Sequence, residues 1–198
     1  RNSANAETSL ANKSARFKFR GISSHAAAAP ERGRSALDGV EAMNYMVNMM
    51  REHVPQETRI HYVITRGGEA PNVVPDFAEV YYYVRHPQAE KLQQLWKRVI
   101  DISTAAALGT GTDVDVEVMH GNHSLLPNEK LSRQMHANLT KVGGVRYNAE
   151  EQAFAEEISG SLGVGDFIGM EREILRFELR QGMGSTDVGD VSWIVPTV

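Results

Sequence analysis

The chain has no cysteine. That excludes disulfides, thiolate metal sites and a cysteine nucleophile together, and it suits a reducing, cytoplasmic compartment. No apolar run approaches the ~20 residues that a membrane span needs. The opening stretch RNSANAETSLANKSAR is polar and unlike a secretory signal. A basic tract is missing as well. Lys and Arg number 21 against 25 Asp and Glu, for a formal net charge of −4, which points away from nucleic acid or a membrane surface as partner. An initiator methionine is also absent, and the closing SWIVPTV runs apolar to its end. We expect a piece of a longer protein.

What is present describes a soluble globular chain. Its 198 residues are 41% hydrophobic and 23% charged, enough to bury a real core. In ARFKFR, Phe17 and Phe19 alternate with Arg16, Lys18 and Arg20, which predicts a half-buried strand over 15–20. Ser35, with Asp38 three residues on, opens a helix in capping-box fashion. Its apolar stripe is Leu37, Val40, Met43, Val47, Met50 and Val54, and Pro55 stops it. RIHYVIT and AEVYYYVR follow as strands. A second helix runs from near Pro87 to Gly109 and Gly111, and DVDVEV alternates as a further strand. The order is β-α-β-β-α-β, the split βαβ or ferredoxin-like motif, with both helices on one side of an antiparallel sheet. After His123 the pattern predicts helices over 127–142 and 149–158, a loop over 159–170, a short helix over 171–180, and a turn-rich GSTDVGDVSW. This last third has no closed core of its own.

Several stretches are candidates for chemistry. In GISSHAAAAPERGR, Pro30 forbids a helix through four alanines, so His25 sits on a small, smooth, bent segment. That segment is either an incidental connector or one that lets something large approach the imidazole. The connection TRGGEAPNVVPDF is about twice as long as a hairpin needs. Asn72 lies between its prolines and either presents its amide to a ligand or satisfies its own turn. Arg85 closes the next strand beside Tyr81 and Tyr83, as a fork for a carboxylate or as a solvated strand end. Glu150-Glu151 and Glu156-Glu157 read as the solvated face of an amphipathic helix. His120 and His123 in HGNH lack a third metal ligand at convincing spacing. GSLGVG lacks the strand-before, helix-after context of a nucleotide loop.

Together, SSHAAAAPERGRSALDGV, EAPNVVPDFAEVYYYVRHP and STDVGDVSW resemble the metal-dependent amidohydrolases and peptidases of carboxypeptidase G and aminoacylase type, within them the branch acting on aminobenzoyl-glutamate. The resemblance implies a ferredoxin-like lid and dimerisation domain over 15–122, preceded by a linker over 1–14. Residues 123–198 would re-enter an α/β catalytic domain. It implies a homodimer, with a second kind of hydrolase subunit as a further possible partner, and an N-acyl or aminobenzoyl amino acid as substrate. His25 would help polarise the scissile carbonyl, often in the partner subunit's site. Asn72 matches the family's loop asparagine, and Arg85 matches the arginine that holds the substrate carboxylate. The family's ligand block for zinc or manganese, and its paired-glutamate general base, have no counterpart in this sequence. We therefore expect no metal bound by this chain and no catalysis by it alone. Two other readings compete. One is a stand-alone ferredoxin-like ligand-binding or regulatory domain. The other is an RRM-like sheet with Tyr81 and Tyr83 stacking bases, which the acidic charge and the lack of an RNP-type motif disfavour.

Overall fold

The computed structural model describes residues 2–163 and 168–198. In order these form β1 (Ala6–Thr8), β2 (Ala11–Arg20), α1 (Ala36–Met50), β3 (Arg59–Arg66), β4 (Phe77–His86), α2 (Ala89–Thr110), β5 (Asp113–Asn122), α3 (Glu129–Val142), α4 (Ala149–Leu162), β6 (Leu179–Gln181) and α5 (Val188–Ser192). Two compact units emerge. One comprises Ser9–Leu125 with Met183–Asp190; the other comprises Arg1–Thr8, Leu126–Gly182 and Val191–Val198.

The first unit holds a sheet of order β3-β4-β2-β5, with every neighbouring pair antiparallel. This is the expected split βαβ arrangement. Strand β2 is longer than the alternation in ARFKFR suggests. It starts at Ala11, inside the stretch expected to be a linker, because Ala11–Lys13 continue the ladder against Val84–His86.

Alternation along β2 and β4 sorts the faces. Ala15, Phe17 and Phe19 join Ala78, Val80, Tyr82 and Val84 beneath the helices, where all are fully buried. α1 contributes Val40, Met43, Val47 and Met50 at helical spacing, and α2 contributes Leu92, Leu95, Trp96 and Val99. The Ser35 hydroxyl accepts the Asp38 N–H at 3.1 Å as the cap of α1. The helix then tightens into a 3-10 turn over Arg51–His53, so Val54 lies beyond it. α2 ends on Gly111 at φ 64°, whose N–H reaches back to the carbonyls of Ala107 and Leu108. A side chain would strain that left-handed cap.

In the second unit, β1 and β6 form a small parallel sheet with Ala6 paired to Leu179. Neither place carries a strand signal in the sequence. The short helix expected over 171–180 is a 3-10 turn at Met170–Arg172 followed by β6. α4 runs four residues past Ile158, into the stretch expected to be loop. The GSLGVG run thus ends α4, while its last two residues, with 166–167, lie outside the described residues. Asn148 and Glu151 form the reciprocal capping box. No residue of α4 is buried, and Phe154 and Leu162 are 65% and 67% exposed, so this unit's apolar surface is far from fully covered.

Tyr82 anchors the core of the first unit. Its ring meets the edge of Phe17 and stacks on Tyr62 at 5.0 Å, and its hydroxyl donates to Asn44 Oδ1 at 2.5 Å. Burial pushes its pKa well above the ordinary tyrosine value. Tyr82→Phe leaves a buried amide oxygen unpaired and should cost about 1–3 kcal/mol. Urea unfolding measures this, and an unchanged midpoint would show that the bond contributes nothing.

Candidate functional site

At Arg20 the chain leaves β2 and turns through Gly21, where a Cβ would run into the Arg34 carbonyl. Ile22 and Arg34 exchange backbone bonds of 2.8 and 2.9 Å, which close residues 22–34 into a compact excursion. Gly21 N–H donates to Asp76 and Ala36 N–H to Pro75, each at 2.8 Å, fastening both ends to the long β3–β4 connection. Further out, His25 and Val73 form an antiparallel bridge. Ala26 N–H donates to the Asn72 carbonyl and Val74 N–H to the Ser24 carbonyl, both at 3.0 Å. The HAAAAP and PNVVP loops are thus one structure. Their sequences, some 50 residues apart, carry no sign of the pairing.

The alanines shape the imidazole's chemistry. Residues 26–28 turn back so that the N–H groups of Ala27 and Ala28 donate to His25 Nδ1 at 3.2 and 3.1 Å. A nitrogen that accepts two bonds carries no proton, so the neutral ring is protonated at Nε2. The ring is exposed and presents that N–H as a fixed donor. Asn72 is exposed beside it, its carbonyl engaged by Ala26 and its side-chain amide without a partner among the described residues. A recess of about 540 Å³ beside these loops is lined by Ala26, Leu37 and residues of the 67–75 stretch, but by neither His25 nor Asn72. Both side chains stand on open surface.

Arg85 is not with them. It lies near the far end of β4, eight residues from Phe77, or about 27 Å at ~3.4 Å per residue. It projects from the face opposite the helices, half-buried, with its guanidinium 5.3 Å from the Tyr83 ring centroid. Its Nε is buried without an acceptor. Arg59 pairs with Arg85 across the strands, and His61 pairs with Tyr83, so all four share the open face. Burial, then the charges of Arg85, Arg51 and Arg59, hold His61 below its ordinary pKa. Arg59 and His61 are functional candidates that the sequence does not single out, although in RIHYVIT they occupy the polar positions alternating with Ile60 and Tyr62. Tyr81 and Tyr83 pack on each other at 5.3 Å, with Arg16 over the former.

The two histidines of HGNH diverge. His120 bonds Ser14 on the open face and meets the Tyr83 ring edge-on. His123 donates to Asp190 Oδ1 from its backbone N–H at 2.8 Å and from Nδ1 at 2.9 Å. Those bonds hold the Asp190 carboxyl below the usual carboxylate range. Asn122 adds a bond to the Thr186 carbonyl at 3.0 Å. STDVGDVSW is therefore tied in part to the end of β5, a role its composition does not reveal. All four glutamates of α4 are exposed. Among the described residues, no three His, Asp or Glu side chains gather as a metal site would require. They do not fit the metal centre that the resemblance implies.

Comparison with known proteins agrees with this architecture. Residues 11–110 match the M20 peptidase dimerisation domain. The chain is 37% identical to one of the p-aminobenzoyl-glutamate hydrolase subunits of Escherichia coli, over 94% of this chain and 44% of that protein. It is 32% identical to mouse Xaa-Arg dipeptidase, over 91% and 36%. It thus spans less than half the length of these relatives. Among solved structures, the aminobenzoyl-glutamate utilization protein of Klebsiella pneumoniae superposes with a TM-score of 0.60 at 16% identity, covering 93% of this chain and 42% of that one. A hydantoinase/carbamoylase-family amidase of Burkholderia multivorans gives 0.65 at 16%, covering 98% and 40%. At such identities these structures speak to the fold alone. With residues 11–110, half its length, matched by the family, the chain belongs to the M20 peptidase dimerisation-domain family.

Proposed function

We propose that this chain is the lid and part of the catalytic domain of a metal-dependent amidohydrolase that cleaves an N-acyl or aminobenzoyl amino acid. Residues 15–122, extended back to Ala11 by β2, serve as the lid and dimerisation domain. The residues before them are the linker, and residues 123–198 are the re-entering catalytic segment. The zinc or manganese ions and the general base belong to parts of the protein outside this chain. The exposed apolar residues of α3 and α4 support that reading, since uncovered patches mark surfaces meant for contact.

The observation that carries the proposal is the loop pair. His25 Nδ1 is occupied by two backbone donors, and its Nε2–H is therefore preorganised toward solvent. Such a donor suits an oxyanion forming on a scissile carbonyl, because no reorganisation is needed as charge develops. Asn72 adds an amide donor at the same place, and Arg85 holds the substrate carboxylate. The distance between His25 and Arg85 favours a division of labour in a homodimer. Arg85 stands about 27 Å along β4 from Phe77, where the loops begin, farther than one acyl amino acid reaches, so one active site would take Arg85 from its own subunit and His25 with Asn72 from the partner. α1 and edge strand β3, with Tyr45 and Val63 exposed at 68% and 55%, offer the contact surface.

In the full-length protein, His25→Ala should lower turnover by about 10²–10³, with little change in KM. Arg85→Gln should act chiefly on apparent substrate affinity, since a carboxylate is held before and during the reaction. The same variant removes one of the charges depressing His61, so its NMR titration should move up toward the ordinary value of 6.5. A mixed dimer tests the division directly. One subunit carries His25→Ala and the other a destroyed metal site. Donation across the interface puts both defects in one site and leaves about half the activity. Donation within a subunit leaves almost none, and near-normal turnover in the simple His25→Ala enzyme would remove the catalytic role altogether.

A further inference from the structure

The relatives differ in one chemically decisive respect. One is named for a glutamate substrate and the other for a dipeptide ending in arginine, so the side chain beside the held carboxylate is anionic in one case and cationic in the other. The open sheet face around Arg85 bears on that choice.

Arg59 and Arg85 are directly opposed across β3 and β4. Like charges so placed repel, their Cβ atoms being only about 4.5–5.5 Å apart. Among the described residues neither guanidinium meets a carboxylate, and the nearby Glu52 and Glu57 are exposed and pair with neither. Arg59 is steadied by Nη1, which donates to the carbonyls of Gln56 at 2.7 Å and Thr58 at 2.8 Å, leaving its other nitrogens available. Arg85 is steadied on Tyr83 with Nε buried and unsatisfied. His61 stands exposed one cross-strand row further along, and every charge that acts on it is positive. A pair of anchored guanidiniums without counter-ions violates the pairing rules of a sheet, and such violations are tolerated where a ligand resolves them.

We propose that Arg59 and His61, beside Arg85, form a second carboxylate subsite, so that the amino acid released is dicarboxylic rather than cationic. The inference rests on the proposed role of Arg85 as holder of the α-carboxylate. Arg59 then takes the side-chain carboxylate as a charge-assisted pair, and His61 adds a ring N–H. An arginine side chain at this position would meet two guanidiniums and, among the described residues, no carboxylate paired with them.

Binding to the full-length protein tests this with three probes: aminobenzoyl-glutamate, aminobenzoyl-glutamine and aminobenzoyl-arginine, measured by calorimetry. The wild type should prefer the glutamate probe over the isosteric glutamine probe by about tenfold or more, with the arginine probe weakest. Arg59→Gln should abolish the preference, so that glutamate and glutamine probes bind alike. Arg59→Lys keeps the charge and should keep part of the preference, which controls for any loosening of the Gln56–Thr58 turn. Arg85→Gln should weaken both probes together. Equal binding of glutamate and glutamine by the wild type, an unaltered preference in Arg59→Gln, or tightest binding of the arginine probe would each overturn the subsite. If Arg85→Gln still weakens all probes in those cases, the role of Arg85 survives without it. If Arg85→Gln changes nothing, or no probe binds, the proposed function falls and the subsite with it.

Discussion

The ladder between β2 and β4 is the constraint on which the rest depends. Its register pairs Ala15 with Tyr82 and Phe17 with Val80, which puts one alternating set under the helices. The same register puts Tyr81, Tyr83 and Arg85 on the opposite face. A slip of one residue would exchange the two sets, sending Arg85 into the core and Tyr82 into solvent. The ladder also ends with Arg20 opposite Phe77. The two loops leaving those residues therefore begin side by side, and the backbone bonds between Ala26, Asn72, Ser24 and Val74 follow from that proximity.

Charge is distributed along the open face in two different ways. Toward β5 the opposite signs face each other, Arg20 with Asp113, Lys18 with Asp115 and Arg16 with Glu117, and Lys18 bonds Glu117 diagonally at 2.8 Å. The acidic residues also protect β5, an edge strand, from pairing with another chain. At the β3–β4 end the arginines stand without counter-ions among the described residues. The sheet thus neutralises one half of the face and leaves arginines without counter-ions among the described residues in the other, where the proposed subsite lies. Asp190 performs a third kind of task. Its carboxylate takes two bonds from His123 and ties the part of STDVGDVSW that ends at Asp190 to the end of β5, a structural use of charge.

Much of the β-α-β-β-α-β unit was legible in the chain because its signals are local. Phe17 and Phe19 alternate with cations, Val40, Met43 and Val47 recur at helical spacing, and Pro55 and Gly111 mark breaks. The last third was less legible. β1 and β6 are three residues each and pair across more than 170 residues, so neither carries a periodicity long enough to read. Of the site, His25 and Asn72 were conspicuous as single residues on unusual loops. Their union was invisible, since it depends on which strands are neighbours. Arg59 and His61 looked like the ordinary polar side of a strand until the register set them against Arg85 and Tyr83.

The sequence by itself determined α1, α2 and α3, the faces of the longer strands and the conformational punctuation, because side-chain periodicity, capping hydroxyls, proline and glycine act within a few residues. It also determined that no thiol chemistry is available to this chain. Only the tertiary structure decided which polar groups meet. Cross-strand register placed two arginines face to face, loop pairing joined the His25 and Asn72 segments, and a strand's length set those loops far from Arg85. These are distances between residues remote in sequence, set by packing and by hydrogen bonds that no local pattern encodes.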